Sequence, residues 1–228
     1  MEMKIDIISV VPNSMQSYID CSIIKRAREK GKVEINLIDL KDYSNDKLGR
    51  VDDYPYGGGA GMLIKCEPMF NCIESLQSIT NYDEIIYLTA DGKTLNQAIT
   101  NELSLSNNLL LIAGHYKGID QRIRDYFVTK EISIGDFVLT GGELPALILM
   151  DSIVRLIPGV ISNSEASLTD SFMNGLLEEP QYTRPAEFKE MKVPEVLLSG
   201  NHKLINEWRE ESSYKKTIRI RPDLLDES

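Results

Sequence analysis

The sequence predicts an α/β fold with a mostly parallel sheet, followed by a small and mainly helical C-terminal domain. Two observations favour this fold class. Short apolar runs typical of buried strands alternate with helical patterns along the first 160 residues. A segment rich in Ser, Thr and Asn, 162–169, then separates this part from a polar, helix-forming remainder. Alternation of this kind is typical of parallel sheets covered by helices.

The predicted strands and helices follow one another in order along the chain. The strand-like runs are 5–11, 33–38, 85–88, 109–113 and 131–134. The helical patterns are 22–30, 68–79, 95–103 and 143–156. The last helix is strongly apolar, so we expect it to be buried, in part against another subunit. Pro158 and Gly159 end it.

The C-terminal part carries fewer apolar residues. An apolar run covers 193–198, and Asn201 is placed to cap a helix that continues through Trp208 to about Ser212. We therefore divide the chain into three parts. They are a ligand-binding domain, 1–160, a flexible linker, 161–175, and a small helical domain, 176–228.

The composition is that of an ordinary globular protein. The chain has 228 residues, of which 42% are hydrophobic and 26% charged. The N-terminal apolar run is too short for a signal peptide, and no segment approaches about 18 uninterrupted apolar residues. We therefore expect a cytoplasmic protein with no membrane partner. The three cysteines, Cys21, Cys66 and Cys72, lack paired or zinc-site spacing and are interpreted as reduced and structural.

The net charge limits the kinds of nucleic-acid partner. A charge of −10 and a pI near 4.8 argue against nonspecific binding along polyanions such as DNA. A specific nucleic acid would need local basic patches. Taken alone, each of the two patches is more typical of a solvated helix face or tail than of a binding site. The patches are Lys25, Arg26, Arg28 and Lys30, then Lys215, Lys216, Arg219 and Arg221.

Three glycine-rich loops are candidates for ligand contact. The first, 56–62, has neither the Lys and Ser/Thr of a P-loop nor the spacing of a dinucleotide fingerprint. A flexible loop that covers a substrate and an inert long turn remain open for it. The other two, 113–120 and 135–142, each follow a predicted strand. Loops at the carboxyl ends of parallel strands line ligand pockets, so these two predict a site that reads an uncharged group such as adenine through main-chain atoms, unless both are merely tight turns.

Other catalytic classes find little support in the sequence. The chain has only two histidines, His115 and His202, and no third ligand in register with them, so a zinc site is not expected. A GxSxG nucleophile elbow is also absent from the sequence, which argues against a Ser-His-Asp hydrolase.

Several motifs together resemble one family, the tRNA (guanine-N1)-methyltransferases of the knotted SPOUT class, which modify guanosine 37. The matching stretches occur in the family's order over nearly the whole chain. They are 51–62, 113–120, 131–143, 155–160, 170–172, 180–185 and 192–202.

The resemblance implies a deep trefoil knot at the end of the first domain, an exception to the rule that folds are unknotted. It also implies S-adenosylmethionine as the cofactor, tRNA as the substrate, and an antiparallel homodimer whose active sites combine both subunits. The implied cofactor-binding residues are Leu88, Thr89, Gly114, Tyr116, Ser133, Ile134, Gly135, Asp136, Phe137, Val138, Leu139 and Gly141.

The resemblance assigns the catalytic roles to two residues. Asp170 matches the general base that takes the proton from guanine N1, and Arg155 matches the cation that stabilises negative charge on O6. Without the resemblance, a helix cap ahead of Ser171 and Phe172 is the favoured interpretation of Asp170. Arg155 can also be interpreted as an exposed residue in the last turn of a helix. The implied substrate-binding residues are Tyr56, Gly58, Gly59 and Arg184.

Lys117 departs from the family pattern, because many members carry Glu there and use it to help bind Mg²⁺. A lysine cannot ligate Mg²⁺, so the departure puts metal dependence in doubt and no metal ligand is assigned. Two rival hypotheses remain, a knotted RNA methyltransferase with another target and a catalytically silent RNA-binding paralogue. The presence of Asp170 and Arg155 argues against both.

Overall fold

The structure, a computed structural model, describes residues 2–161 and 170–226. The chain divides into two compact units, Met1–Ser162 and Asn163–Ser228. Of the predicted linker 161–175, residues 162–169 lie outside the described residues, and the trefoil knot stays a prediction.

The first unit is built on a five-stranded sheet in which every pair of neighbouring strands is parallel. The strand order is β2-β1-β6-β5-β7. Its strands are β1 Met3–Ser9, β2 Val33–Asp39, β5 Glu84–Thr94, β6 Asn108–Ala113 and β7 Lys130–Ser133. The predicted fold class is thus confirmed.

Helices cover both faces of this sheet. They are α1 Asn13–Ile19, α2 Ser22–Glu29, α3 Cys66–Gln77, α4 Gln97–Leu103, α5 Gln121–Phe127 and α6 Glu143–Val154, with a 3₁₀ turn at Leu40–Tyr43. A two-residue antiparallel pair, β3 Asp52–Asp53 with β4 Leu63–Ile64, closes the first glycine loop.

Alternation along the central strands feeds two hydrophobic cores. In β6, Leu109 and Leu111 join one cluster with residues of α1, α2, α4 and α6, while Leu110 and Ile112 join the other with residues of α3 and α5. Successive side chains of a strand point to opposite faces, so a strand that is apolar throughout requires cover on both sides. This explains why these strands read as continuous apolar runs.

Helix α6 packs mainly into the core of its own unit. Ala146, Leu149, Met150 and other side chains on one side of it are fully buried. Leu144 and Ile148, one turn apart, remain 60% and 47% exposed. The prediction that this helix is buried is confirmed for one side, and the other presents an apolar strip.

The second unit contains a hairpin and helices. Its elements are β8 Glu187–Phe188, β9 Met191–Lys192, α7 Glu195–Leu198, α8 His202–Ile220 and α9 Asp223–Asp226. The Asn201 side chain caps α8, as predicted, by accepting hydrogen bonds from the amides of Lys203 and Leu204. The predicted end near Ser212 is wrong, because α8 continues to Ile220.

In the described ranges, no helix is both long enough and apolar enough to cross a membrane. The cysteines lie in different environments. Cys72 is buried, Cys66 half-buried and Cys21 exposed, and none of the three forms a disulfide with a described residue. Burial raises the pKa of the Cys72 thiol to about 12, so this side chain stays protonated and acts as a small apolar core residue.

Candidate active site

A cavity of about 330 Å³ lies at the carboxyl ends of three adjacent strands, β6, β5 and β7. This is the edge at which open α/β sheets bind ligands. Its wall is formed by the segments that leave these strands and by the start of α6 at Pro145. Ten of the predicted cofactor-binding residues line it: Leu88, Thr89, Gly114, Tyr116, Ser133, Ile134, Phe137, Val138, Leu139 and Gly141.

The other two predicted cofactor residues, Gly135 and Asp136, belong to the same loop but do not line the cavity. Gly135 has φ of +146°, and a Cβ there would lie 2.6 Å from the ring of Phe137. The Ser133 hydroxyl accepts a hydrogen bond from the Gly135 amide and donates one to its carbonyl. These contacts fix the turn that brings Phe137 to the cavity wall.

An irregularity in β5 opens the cavity at its centre. Both Leu88 and Lys93 are in register with Ile132 of β7, so the four residues between them bulge out of the ladder. Gly92 permits this bulge, because a Cβ there would lie 2.6 Å from the backbone of Glu131 and Ile132. The bulge places Thr89 and Ala90 on the cavity wall.

Two of the loops are joined to each other through glycines. The Gly142 amide donates a 2.5 Å hydrogen bond to the Gly114 carbonyl, and His115 forms an antiparallel bridge with Gly141. A Cβ on Gly142 would lie 2.5–2.9 Å from backbone atoms of Gly114 and Ala113. Since backbone cannot move aside as a side chain can, this contact requires glycine at 142.

We expect Gly142→Ala to lower the free energy of unfolding by about 1–3 kcal/mol, because the added methyl overpacks a backbone contact. If these loops bind the expected cofactor, the same 1–3 kcal/mol of strain on them should lower the affinity for S-adenosylhomocysteine about 5- to 150-fold. Chemical denaturation and calorimetric titration measure the two effects. Gly57→Ala is the control, because a Cβ there meets nothing within 4 Å, and it should leave the affinity unchanged. Unaltered binding by Gly142→Ala would contradict the assignment of these two loops to cofactor binding.

A buried tyrosine supports the loop that follows β6. A Cβ on Gly114 or Gly118 would lie 2.9 Å from the Tyr87 side chain, so both glycines let the loop rest on this ring. Burial raises the pKa of Tyr87, which therefore stays neutral. The Arg124 guanidinium lies 5.3 Å from the Tyr87 ring centre and pairs with Glu131 at 2.7 Å. Arg124, paired with Glu131, thus stabilises the position of the Tyr87 ring, which lines the cavity.

Three polar side chains, Ser9, Glu143 and His115, lie next to one another between the start of α6 and the cavity. Ser9 donates a 2.7 Å hydrogen bond to the Glu143 carboxylate, whose other oxygen lies 3.7 Å from Nδ1 of His115. That distance is too long for a hydrogen bond. Nδ1 of His115 is buried and has no hydrogen-bond partner among the described residues. Neither histidine belongs to a metal-binding group in the described ranges.

The predicted substrate-binding residues are not among those that line this cavity. Tyr56 is fully exposed and lines a separate cavity of about 750 Å³ together with Tyr54, Lys65 and Arg122. The remaining predicted substrate residues, Gly58, Gly59 and Arg184, are exposed, and Arg184 belongs to the second unit.

The predicted catalytic residues are both half-buried and lie in different units. Arg155 is the C-cap of α6, with φ of −63°. Asp170 begins a turn in which its carbonyl accepts a hydrogen bond from the Met173 amide at 3.3 Å. The helix-cap interpretation of Asp170 is wrong, since a turn rather than an α-helix follows it.

The basic patches are partly compensated by neighbouring carboxylates. Arg28 pairs with Asp20 at 2.7 Å, and Lys215 with Glu211 at 2.6 Å. Pairing of this kind lowers the positive potential that a polyanion would meet. Any attraction of these patches for a polyanion therefore depends on the basic residues that do not pair with a carboxylate.

Sequence reasoning missed Tyr87, Ala90 and Pro145, which also line the cavity. The sequence analysis named Lys117 only as a departure from the family pattern, although this residue lines the cavity. Position relative to the predicted strand ends was the available signal for Ala90, which comes shortly after the predicted strand 85–88 as Gly114 comes after the predicted strand 109–113.

Comparison with known proteins places the whole chain in one group. The model of a family described as tRNA (Guanine-1)-methyltransferase TrmD matches residues 3–227. A tRNA (guanine-N(1)-)-methyltransferase of Christiangramia forsetii is 56% identical over 225 residues, 99% of this chain and 100% of that protein. Proteins of the same name from Bacteroides fragilis and Chlorobium chlorochromatii are 54% and 55% identical, and they cover 99% and 98% of this chain and 100% and 97% of their own lengths.

Proposed function

Because this chain belongs to the tRNA (guanine-1)-methyltransferase family, we propose that it methylates N1 of guanosine 37 in tRNA with S-adenosylmethionine as the donor. The observation that carries the proposal is the cavity at the ends of β6, β5 and β7, which gathers ten of the twelve expected cofactor residues. The reaction would take place in the cytoplasm, where tRNA is modified.

The cavity has the chemistry that an adenosine-containing cofactor needs. Leu88, Ile134 and Leu139 supply apolar surface for a purine, while the backbone of the glycine loops supplies hydrogen-bonding groups. Glycines at 114 and 142 let the two loops pack closely against Tyr87 and against each other, since a Cβ at either position would collide with these neighbours. When bound, S-adenosylmethionine supplies a methyl group on a sulfonium, and S-adenosylhomocysteine leaves as a neutral thioether.

Magnesium does not fit the residues of this cavity. In the parts of the chain that the structure describes, no group of three or more His, Cys, Asp or Glu side chains is placed to hold a metal ion. Lys117, on the cavity wall, offers an ammonium group and no ligand atom. The proposed reaction steps therefore use protein side chains and no metal ion.

We assign the proton transfer to Asp170. Guanine N1 is a poor nucleophile while it carries its proton, so a base must remove that proton as the methyl group transfers. A carboxylate can accept it, and the new N1–C bond then forms as the S–C bond breaks. Asp170 directly follows the segment 162–169 and lies in the matched family motif 170–172.

We assign the stabilisation of the guanine oxygen to Arg155. As N1 loses its proton, negative charge moves to O6, and a guanidinium donates hydrogen bonds to that charge more strongly in the transition state than in the ground state. We assign Tyr56, Gly58, Gly59 and Arg184 to the binding of tRNA, because they are exposed and lie in or directly beside the matched family motifs 51–62 and 180–185.

A homodimer would bring these groups together. α6 rises about 15 Å from Pro145 on the cavity wall to its C-cap, Arg155, which is longer than an arginine side chain can span. The partner's copy of Arg155 could then serve the cavity of the first subunit. Leu144 and Ile148 supply an apolar strip for the contact between subunits.

The test is methylation of defined tRNAs. Purified protein is incubated with labelled S-adenosylmethionine and unmodified tRNA transcripts that carry guanosine or adenosine at position 37. We expect label only in the guanosine transcript, and N1-methylguanosine as the product in nuclease digests. Label in the adenosine transcript, or none in either, would contradict the proposal.

A further inference from the structure

The bulge of β5, residues 89–92, is attached to α5 by polar side chains. Thr89 and Ala90 line the cavity, whereas Asp91, the next residue of the bulge, does not. The Thr89 hydroxyl donates a hydrogen bond to one oxygen of the Asp91 carboxylate. The Arg124 guanidinium donates a 2.9 Å hydrogen bond to the other oxygen. A contact outside the cavity lining therefore holds the segment that forms part of the lining.

Arg124 is also fixed independently of the bulge. Its guanidinium donates two further hydrogen bonds of 2.7 Å, one to each carboxylate oxygen of Glu131, and lies over the Tyr87 ring. Tyr87 and Glu131 are in register on the neighbouring strands β5 and β7, so their side chains project from the same face of the sheet. A two-point pair of this kind fixes the plane of the guanidinium. Arg124, whose side chain is only 19% exposed, is thus a firm support for Asp91.

The backbone of the bulge has little support from the sheet. Within the described ranges, residues 89–92 are paired neither with β6, whose register with β5 ends at Leu88, nor with β7. Hydrogen bonds from the Thr89 hydroxyl and the Arg124 guanidinium hold the pKa of the Asp91 carboxyl below its usual range, so Asp91 stays ionised at neutral pH. Since backbone outside a strand ladder opens easily, this side-chain contact limits how often the bulge leaves its place on the cavity wall.

We propose that Arg124 is a positioning residue for the cofactor, which acts through Asp91 to hold the bulge 89–92 in the conformation that forms the cavity wall. This inference rests on the proposed function, which places S-adenosylmethionine in the cavity. Neither Arg124 nor Asp91 lines the cavity, so both affect binding without touching the ligand. A wall that is already in its bound conformation loses less entropy when the ligand binds.

The test is a double-mutant cycle on the affinity for S-adenosylhomocysteine, measured by calorimetric titration. We expect Asp91→Ala to weaken binding about fivefold, the upper range for a partly exposed ion pair. Arg124→Met should weaken binding at least as much, because it also loses the contact with Glu131. The double variant should bind as Arg124→Met does, since both side chains act through one contact. Ligand-free Asp91→Ala should also exchange the amide hydrogens of residues 89–92 faster than the wild type.

The matched control is the ion pair of Arg28 in α2 with Asp20, which is also partly exposed and has a distance of 2.7 Å, but lies outside the cavity lining. Arg28→Met and Asp20→Ala should each leave the affinity within twofold of the wild type. Both change an ion pair of the same unit, so they report the effect that a loss of stability alone has on binding.

Several outcomes would overturn the inference and leave the proposed function intact. They are unchanged affinity or unchanged amide exchange in Asp91→Ala, losses that multiply in the double variant, and an equal loss in the control variants. The Asp91 side chain is 64% exposed, so Asp91→Ala should fold and tests the inference even if Arg124→Met does not. Failure of the wild type to bind S-adenosylhomocysteine would instead overturn the proposed function, and the inference with it.

Discussion

Asp170→Asn is expected to lower the rate of methyl transfer by about 10²–10⁴, the range that a positioned general base contributes. The amide has nearly the shape of the carboxylate but cannot accept the N1 proton. The cofactor cavity is formed by residues of the first unit, so the affinity for S-adenosylhomocysteine should stay within twofold of the wild type. Single-turnover methylation of a guanosine 37 transcript at saturating tRNA measures the chemical step.

A second carboxylate provides the control for this substitution. Asp125 is exposed on α5 and accepts a hydrogen bond from Gln121 one turn before it. Asp125→Asn removes the same charge and should retain the wild-type rate. If Asp170→Asn kept full turnover with normal cofactor affinity, Asp170 would lose its role as the base, while the family assignment would stand on its own grounds.

The cofactor loops were predictable because their signals are local. Continuous apolar strands followed by glycines predicted the loops 113–120 and 135–142, and the structure places both on one cavity. What the alternation of strands and helices could not predict is the strand order, in which β5 lies between β6 and β7. That order depends on contacts between distant segments, which a local pattern does not record. The family resemblance, which the comparisons confirm, supplied the expected site residues instead.

Short or weakly amphipathic elements escaped prediction for a different reason. α1 buries only Met15 and Ile19, too few positions to define a period. The last eight residues of α8 follow Ser212, which resembles a helix end, yet Thr217 is fully buried and accepts a hydrogen bond from the Leu177 amide. Tertiary contacts of this kind extend a helix beyond the point where local propensity would end it.

Arg155→Met is expected to reduce kcat by about 10²–10³, the loss measured when one donor to a developing oxyanion is removed. Methionine keeps an unbranched stem at the C-cap of α6 and removes only the hydrogen-bonding cation. The KM for S-adenosylmethionine should change little, because Arg155 does not line the cofactor cavity. A fall in kcat without a change in cofactor affinity is the result expected of a group that acts on the guanine.

The same substitution tests whether two subunits share one site. Arg155→Met subunits bind the cofactor but lack the cation, and Gly142→Ala subunits keep the cation but lose cofactor affinity. If Arg155 serves the partner's cavity, each mixed dimer holds one intact site. Random exchange makes half of the dimers mixed, so the mixture should recover about a quarter of the wild-type activity.

The control for this recovery places both changes in one chain. Arg155→Met subunits mixed with the double variant Arg155→Met, Gly142→Ala contain no intact Arg155 and should stay inactive. Native mass spectrometry establishes that mixed dimers form in both experiments. If they form and activity does not return in the first mixture, Arg155 acts within its own chain. The guanine of the bound tRNA would then have to reach across the rise of about 15 Å between Pro145 and Arg155. Recovery would instead explain why α6 carries an exposed apolar strip, since the same helix would both join the subunits and deliver the cation.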